Sequence, residues 1–505
     1  MMKLKKVLVT ILIVTMSIIT GCHQKPPTKE EEFKVLLENI NNSREVFHKK
    51  PLPKIENYIG NSSVDDVIFE EGELEAMIPK MPQNSFNDEG ILTRKEALAD
   101  VESLFKLLRS AYSLYNHFGG DTTFSKAKQE IIAEINNVEE ISNGNLVNLL
   151  KSKLTFIKDG HFRIGKIDEL KLYYSYKEEN FLRDNKGIYK VSNNKKYYLK
   201  SIDSKENIED FLKLTINDEG KLVYVLGFSK ISNVDMEYAK QNYNYCVGVA
   251  ELPIKICYES KGKKFEEGVN FKTEKEVNYQ FKDSFSLEMS KNIPVVTFNN
   301  IDVNTSMTQI SKTTDKLKGH NIAIMDLRGN YGGSMLLVDR FSEKMSIPNT
   351  SKRAIAQLYS EPIIFQQQYR SSDKLEYRDE LNKFVITDKF NSDTSLADND
   401  KLIIALIDVN VASAGEGFIR RLCTMKNVIL VGSNSNGANL ARNMCHYKLP
   451  NSNAIVNLGS AIYVCADIDE FELNGFTPDI WVNSTESMDK VMKFIKSYNL
   501  ESFKK

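Results

Sequence analysis

Short apolar runs alternate with segments of helical spacing in the C-terminal part of the chain. Runs with the length of buried strands occupy residues 293–298, 322–327, 402–407 and 428–431. Continuous apolar strands separated by helices are typical of a parallel sheet that is covered on both faces. We therefore predict an α/β domain with a largely parallel sheet over residues 291–505. Ligands usually bind such sheets at the carboxyl ends of the strands.

Helical periodicity dominates an earlier stretch of the chain. Thr93 and Glu96 have the spacing of a capping box, and the apolar residues that follow recur on one helical face. Further helical patterns lie at 124–135 and 146–156. Together they predict a small helical domain over residues 91–165.

The remaining segments are more polar. Residues 166–290 contain short alternating runs separated by Gly and Asn, which predicts a β-rich middle domain. This region contains no catalytic motif, so we expect a scaffold or substrate-guiding role for it. Residues 22–90 contain several prolines and polar clusters, and we interpret them as a tether and a loosely packed N-terminal segment.

The first residues of the chain have the pattern of an export signal. Basic residues precede an apolar run over 7–19 that is short for a membrane-spanning helix. The sequence ITGC, which ends at Cys22, resembles a bacterial lipobox, in which the cysteine carries the lipid. We expect residues 1–21 to be a lipoprotein signal peptide and the mature protein to be a lipoprotein on the extracytoplasmic face of a bacterial cell membrane. An ordinary cleaved signal peptide is the alternative.

Charge and cysteine content argue against two classes of function, nucleic-acid binding and metal binding. The chain has 67 basic and 68 acidic residues and a net charge of −1, so no strong field favours nucleic acid. Its cysteines show no CxxC or Cys/His clustering, so no metal site is predicted. Cys246 and Cys257 could pair across two short strands, but we predict no disulfide.

Ser413 is the first candidate for chemistry. It follows the apolar run 402–407 and stands where helical spacing resumes. A serine in the first turn of a helix lies at the positive end of the helix dipole, which suits a nucleophile that develops negative charge. Ser413 and Glu416 also fit an S-x-x-E capping box, so a simple helix cap is the alternative.

Two further segments carry candidate functional groups. The sequence DGHFR at 159–163 places His161 on a turn that Gly160 begins, and the chain contains only 6 histidines to serve as a base at neutral pH. A satisfied surface or core histidine is the alternative for His161. The sequence DLRGNYGG at 326–333 contains closely spaced glycines, which let the backbone approach a reacting group and form an anion-binding nest.

These motifs together resemble peptidase family S41, the C-terminal-processing and tricorn-type serine peptidases. The resemblance rests on DLRGNYGG at 326–333, ASAGE at 412–416 and FELNGFTPDI at 471–480, in that order. It covers residues 290–485 and extends to the DGHFR turn. It implies a ClpP/crotonase-like α/β fold, hydrolysis of peptide bonds in peptide or protein substrates, and no metal or organic cofactor.

The family has two catalytic arrangements. The C-terminal-processing branch uses serine and lysine, with the lysine in a G-K-G step beyond the serine. Here the sequence GAN at 437–439 stands at that step, and Arg442 stands where the branch has a glutamine, so the lysine is missing. The tricorn-like branch uses serine with histidine and glutamate, and its positions match His161 and Glu472.

The tricorn-like arrangement implies a role for each residue. His161 would accept the proton of Ser413, and Glu472 would orient the imidazole and stabilise its charged form. For Glu472 the alternative is a solvated carboxylate at the end of a strand, and Asp469 and Glu470 compete for the role.

The backbone is expected to stabilise the oxyanion. The N–H of Ala414, with one from Gly332 or Gly333, would bind the tetrahedral oxyanion. Asp326 and Arg328 are expected to brace the glycine loop by hydrogen bonds rather than to take part in chemistry.

The sequence thus predicts a lipid-anchored serine peptidase that acts through an acyl-enzyme. One alternative is a catalytically inactive lipoprotein with the S41 fold that binds peptides or apolar ligands. Another is catalysis with a different base, either His320 or His446.

Overall fold

The structure is a computed structural model of the chain. The part that it describes comprises residues 27–60, 67–79, 86–165, 172–202, 208–231, 254–269, 271–275, 277, 279, 285–299, 307–370, 381–392, 395–466 and 468–503. The predicted signal peptide, its lipidation site Cys22, and Cys246 lie outside the described residues.

Helices occur throughout the described part of the chain. They are α1 Lys29–His48, α2 Glu56–Ile59, α3 Glu73–Met77, α4 Arg94–Ala111, α5 Gly120–Ile135, α6 Asn143–Lys153, α7 Met307–Lys318, α8 Met335–Lys344, α9 Glu361–Arg370, α10 Ala414–Leu422, α11 Ile468–Phe471 and α12 Ser487–Ser497. Short 3₁₀ turns occupy Glu209–Phe211 and Leu500–Ser502.

The strands are concentrated in the middle and C-terminal regions. They are β1 Ile91–Thr93, β2 Glu140–Ser142, β3 Arg163–Ile164, β4 Leu172–Tyr176, β5 Leu182–Asp184, β6 Gly187–Ser192, β7 Lys195–Ile202, β8 Leu212–Ile216, β9 Leu222–Ile231, β10 Ile254–Ser260, β11 Lys263–Val269, β12 Lys272–Thr273, β13 Phe285–Ser290, β14 Ile293–Phe298, β15 Ile322–Asp326, β16 Arg353–Tyr359, β17 Lys383–Phe390, β18 Leu402–Ile407, β19 Val428–Gly432, β20 Ala441–Lys448, β21 Ile455–Cys465 and β22 Ile480–Trp481.

The predicted parallel sheet is confirmed. Its strand order is β13-β14-β15-β18-β19-β22, in which β13 pairs antiparallel with β14 and the remaining pairings are parallel. Strands β15, β18 and β19 are buried along their whole length, as continuous apolar runs require. Because β15 and β18 are parallel, the loops that follow Asp326 and Ile407 leave the same edge of the sheet.

A second sheet packs against the N-terminal helices. Its order is β17-β16-β21-β20, and β3 pairs antiparallel with β21. Side chains of α4, α5 and α6 share one core with this sheet, as shown by Leu104, Ile131 and Leu150 packing in the same cluster as Tyr447 and Val456. The helices therefore have no separate core, and the turn before β3 is held against the C-terminal half of the chain.

The described part of the middle region is rich in strands, as predicted. It contains a sheet in the order β11-β10-β7-β6-β5 and another in the order β12-β4-β9-β8. Leu214 and Ile216 of β8 join the core on one side of the parallel sheet, together with Ile480. The middle region is thereby packed onto the α/β domain.

The interpretation of residues 22–90 as loosely packed is wrong for α1. Thr28 and Glu31 form a complete capping box at its start. Phe33, Leu36 and Ile40 are buried in the core beneath the parallel sheet. The apolar stripe of this helix is narrow among many charged residues, so composition alone suggested a tether where the helical spacing indicates a packed helix.

The described residues contain no disulfide and no membrane-crossing helix. Cys257, Cys423, Cys445 and Cys465 are not joined by disulfides. None of the helices in the described segments is both long and apolar enough to cross a membrane. No group of His, Cys, Asp and Glu in those segments is arranged to hold a metal ion.

Candidate active site

Ser413 occupies a strained turn at the start of α10. Its φ is 54° and its ψ is −117°, a conformation that side chains other than glycine rarely adopt. Such strain costs about 1–3 kcal/mol and persists only where the surrounding structure imposes it. The side chain is half-buried, so its hydroxyl stands at a partly accessible helix N-terminus. The turn has the geometry of a presented nucleophile.

The capping alternative for Ser413 is not supported. The Ser413 side chain makes no capping hydrogen bond at the start of α10. Glu416 is buried and instead accepts hydrogen bonds from Ser435 Oγ at 2.5 Å, Gly437 N at 2.8 Å and Ala438 N at 2.9 Å. Glu416 of the S-x-x-E pattern therefore makes tertiary contacts, and the Ser413 hydroxyl makes no capping hydrogen bond to the helix.

The glycine loop lies directly against the Ser413 turn. Gly332 has a φ of +102°, and a Cβ atom there would lie 2.9 Å from Ser413 Cβ and 3.1 Å from Ala414 N. Both the conformation and the close approach require glycine at this position. The structure thus brings the DLRGNYGG and ASAGE motifs together, as the sequence predicts.

Asn330 organises this loop, and sequence reasoning did not single it out. Its Nδ2 donates to Phe298 O, its Oδ1 accepts from Gly332 N at 2.9 Å, and its backbone O accepts from Ala412 N at 2.9 Å. The N–H of Gly332 is thus engaged within the loop, which corrects its assignment as an oxyanion donor. Ala414 and Gly333 remain the candidate pair.

Asp326 and Arg328 brace the loop, as predicted. The guanidinium donates from Nε to Asp326 Oδ1 at 2.8 Å and from Nη2 to Asp326 Oδ2 at 2.6 Å. Its Nη1 also donates to Ser484 O at 2.7 Å. Charge-assisted bidentate pairs of this kind fix geometry as well as adding stability. Arg328 thereby ties the carboxyl end of β15 to the segment before α12.

His161 sits on a turn that buried polar groups hold in place. Its backbone N donates to Asp159 Oδ1 at 2.9 Å, and Tyr112 Oη donates to Asp159 Oδ2 at 2.9 Å. The side chain is half-buried, and its Nδ1 is buried without a hydrogen-bond partner in the described part of the chain. Burial and the charges of Arg163 and Arg442 lower the pKa of His161 to about 3. The imidazole is therefore neutral at pH 7.

Glu472 contacts the histidine turn, but by a route different from the predicted one. One carboxylate oxygen accepts from Gly160 N at 2.7 Å, and the other accepts from Asn439 N at 2.8 Å and Leu440 N at 2.7 Å. The expected hydrogen bond between Glu472 and Nδ1 of His161 is absent from the described part of the chain, where both carboxylate oxygens accept from backbone N–H groups. Glu472 thus positions the main chain of the turn rather than the ring.

Burial governs the acidity of this region. It raises the pKa of Glu472 well above its ordinary value, and the neighbouring Asp159 carboxylate raises it further. Burial also raises the pKa of Asp159 to about 6. Of the competing acids, Glu470 pairs with Lys50, and the side chain of Asp469 lies outside the described groups.

Residues 435–440, here called the linking segment, connect the serine and histidine sides of the site. Its backbone binds Glu416 on one side and Glu472 on the other. A Cβ at Gly160 would lie 2.7 Å from Gly437 O and 2.8 Å from Ala438 Cα, so the histidine turn touches this segment directly. Residues 437–439, where the C-terminal-processing branch has its lysine, therefore pack between the serine side and the histidine side of the site.

The other proposed bases have different surroundings. His320 precedes β15, whereas Ser413 lies beyond the carboxyl end of the parallel strand β18. The length of one strand, roughly 16 Å, therefore separates His320 from Ser413. Nδ1 of His446 is hydrogen-bonded to Asn457 Oδ1 at 2.6 Å within the second sheet. His161 remains the candidate base.

Part of the chain matches a known protein family. Residues 292–482 match the model of Peptidase family S41. This segment is therefore similar to the domain that defines the family. The domain contains the glycine loop, Ser413 and Glu472, while His161 lies before it. The prediction of a serine-type peptidase is confirmed at this level.

No curated protein matches the chain, but solved structures do. Mature CPAF complexed with lactacystin is 11% identical over 81% of this chain and 98% of its own, with a TM-score of 0.40. The photosystem II D1 C-terminal processing protease is 12% identical over 77% and 93%, with a TM-score of 0.34. The tricorn protease is 11% identical over 80% and 37%, with a TM-score of 0.35. Such distant likenesses carry no argument about the site.

Proposed function

We propose that the chain is a lipid-anchored extracytoplasmic serine peptidase that cleaves peptide bonds through an acyl-enzyme at Ser413. The observation that carries this proposal is the strained Ser413 turn, whose side chain makes no capping hydrogen bond and whose Cβ lies against the glycine loop. The lipobox-like sequence at Cys22 supports the anchor. The parallel sheet supports a ClpP/crotonase-like organisation of the S41 domain.

In the proposed mechanism, neutral His161 accepts the Ser413 proton as the serine oxygen attacks the scissile carbonyl carbon. The N–H groups of Ala414 and Gly333 donate to the resulting oxyanion. The imidazolium then protonates the leaving amine as the C–N bond breaks, which leaves the acyl-enzyme. Water repeats the sequence and releases the acyl group as a carboxylic acid. Glu472 supports these steps by fixing the turn that carries His161.

Hydrolysis of a fluorogenic peptide library by purified mature protein tests the proposal. Ser413→Ala and His161→Ala should each lower kcat by about 10⁴-fold or more, because the groups of such a unit act together. His446→Ala is the matched control and should retain wild-type turnover. Undiminished turnover in Ser413→Ala would refute the nucleophile assignment. Peptide binding without turnover in the wild type would favour the inactive binding protein.

A further inference from the structure

Two tight hairpin turns lie side by side at one end of a sheet in the middle region. The turn 193–194 connects β6 to β7, and the turn 261–262 connects β10 to β11. All four turn residues have positive φ angles, between 49° and 75°, as two-residue turns that match the twist of their strands require. Strand β10 pairs antiparallel with β7, and Ser260 Oγ donates to Lys196 O at 2.8 Å. The two turns therefore leave the same end of the sheet.

This end of the sheet is basic. Residues 191–197 and 260–265, here called the basic tip, contain five lysines and no acidic residue. All five are exposed, and they are Lys195, Lys196, Lys261, Lys263 and Lys264. Lys196 pairs with Asp184 at 2.6 Å, whereas the other four form no ion pair within the described part of the chain. The net charge of the whole chain is −1, so the basic tip is a local concentration of positive charge.

The acidic residues that border the basic tip do not neutralise it. Glu259 precedes it on β10 and pairs with Lys200, which lies outside the tip, at 3.5 Å. Glu266 and Glu267 follow it on β11, and Glu267 is bound by two lysines outside the tip, each at 2.9 Å. Counting Asp184 and the exposed Glu266 against the five lysines still leaves three positive charges.

Apolar side chains are exposed among these lysines. Phe265 is 43% exposed and Val191 is 56% exposed, and no other phenylalanine among the described residues is classed with them as exposed. The ring of Phe265 meets the ring of Tyr197 edge-on, with centroids 5.6 Å apart. Val191 pairs with Lys196, the residue next to Tyr197, so Val191 and Phe265 lie on opposite faces of the sheet. Basic and apolar groups therefore surround the end of the sheet on both faces.

The surface of an anionic lipid bilayer matches this combination. Lysines are attracted to anionic headgroups, while aromatic and aliphatic side chains enter the boundary between headgroups and acyl chains. A soluble polyanion would match the lysines but would offer Phe265 and Val191 no apolar partner. The chemistry of the basic tip therefore favours a lipid surface over a polyanion in solution.

The proposed lipid anchor would join the chain beside the middle region. Helix α1 begins at Lys29, so the chain between Cys22 and Lys29 spans at most about 25 Å. Tyr498 Oη donates to Glu32 of α1 at 2.7 Å and accepts from Leu222 N of β9 at 3.2 Å. The start of α1 is thus tied to the middle region, and an anchor at Cys22 would hold that region close to the bilayer.

We propose that the basic tip rests on the anionic surface of the membrane, as a second contact besides the lipid at Cys22. This inference rests on the membrane location in the proposed function and is independent of the peptidase chemistry. A lipid tether alone leaves the protein free to turn about the anchor, whereas two contacts fix its orientation on the bilayer. The middle region would then set which side of the S41-like segment faces away from the membrane.

Cosedimentation with lipid vesicles tests the basic tip. The protein is the mature chain from His23 onwards without the lipid, so that no acyl group contributes to binding. The vesicles contain phosphatidylcholine alone or phosphatidylcholine mixed with phosphatidylglycerol. At about 0.1 M salt the partition coefficient should be at least about tenfold higher on the anionic vesicles. At about 1 M salt, where the Debye length is about 3 Å, the difference should disappear.

Variants assign the binding to the basic tip. Lys263→Gln combined with Lys264→Gln should lower the partition coefficient on anionic vesicles at least about tenfold, because each lysine near such a surface contributes about fivefold. Phe265→Ser should lower it about fivefold without changing its salt dependence, because about half of the apolar ring surface is available for burial. Circular dichroism confirms that each variant is folded.

Matched controls use exposed residues elsewhere. Lys95→Gln combined with Lys126→Gln removes two exposed lysines from the N-terminal helices, and Ile386→Ser removes an apolar side chain that is 44% exposed on β17. Both controls should bind anionic vesicles as the wild type does. A loss of binding in the double-lysine control equal to that in the tip variant would overturn the proposal, because overall charge would then explain the binding.

The remaining outcomes are equally decisive. Equal binding to both kinds of vesicle, binding to neither, or binding that survives removal of Lys263 and Lys264 overturns the basic tip as a membrane contact. Binding to soluble polyphosphate without binding to vesicles also overturns it. The peptide assay separates this inference from the proposed function. A chain that cleaves peptides but ignores anionic vesicles refutes the membrane contact alone, whereas a chain that binds the vesicles through the tip but cleaves no peptide supports the contact and refutes the peptidase.

Discussion

The close approach of Gly332 to the serine turn can be tested by adding one methyl group. In Gly332→Ala, the new Cβ would lie 2.9 Å from Ser413 Cβ and 3.0 Å from Ala412 O, so the turn must shift. The positive φ of +102° costs alanine about 1–2 kcal/mol, and overpacking adds about 1–3 kcal/mol. We therefore expect a loss of about 2–5 kcal/mol in the free energy of unfolding.

The same shift should impair catalysis, since a misplacement of about 1 Å can cost about 10²-fold in rate. We expect kcat/KM of Gly332→Ala to fall at least tenfold in the peptide assay. Gly262→Ala is the matched control, because Gly262 has a φ of +75° and nothing within 4 Å of its Cβ position. It should show only the backbone cost, with wild-type kcat/KM. Wild-type activity in Gly332→Ala, together with a stability loss equal to that of Gly262→Ala, would refute this reasoning.

Other changes test the fold. Leu36→Ala, in the buried stripe of α1, should cost about 2–5 kcal/mol in urea unfolding, whereas exposed Glu38→Ala should cost little. Asp100→Ala removes the acceptor of three hydrogen bonds to residues 451–452 and should cost about 3–5 kcal/mol, against at most about 1 kcal/mol for Glu102→Ala. Burial raises the pKa of Glu274 to about 7, so its stabilising effect is present below pH 4.5 and is lost as the pH rises through 7. Glu274→Gln should remove that dependence of the unfolding free energy, which pH-dependent melting measures.

Local patterns predicted the parallel sheet well, because burial on both faces leaves continuous apolar runs. The strands predicted at 293–298 and 402–407 have the same limits in the structure. The strand predicted at 428–431 extends by one residue, to Gly432. Helix starts were less exact. Gly119, with its positive φ, stands as the N-cap of α5, which therefore begins before the predicted position.

The two capping patterns show where local reasoning ends. At the exposed start of α4, Thr93 and Glu96 form the predicted capping box. At the buried start of α10, the same spacing fails because Glu416 binds the linking segment instead of the helix N-terminus. An exposed helix N-terminus has only local partners, whereas a buried one meets donors from distant segments. The positions of those donors cannot be predicted from the local sequence.

The candidate site was predicted at the level of motifs but not of contacts. Ser413 and the glycine loop meet as expected, and Glu472 reaches the turn of His161. The predicted bond from Glu472 to the imidazole is replaced by bonds to backbone N–H groups. Such groups are present at every residue except proline, so no sequence motif marks which of them a buried carboxylate will bind.

The central claim is that Ser413 is a nucleophile activated by His161. A fluorophosphonate probe, which forms a covalent bond with an activated serine, tests it most directly when the adduct is mapped by peptide mass spectrometry. We predict that the mature protein is labelled at Ser413 and that Ser413→Ala and His161→Ala both abolish the label. Labelling that is unchanged in Ser413→Ala, or an adduct that maps to another residue, would contradict the account.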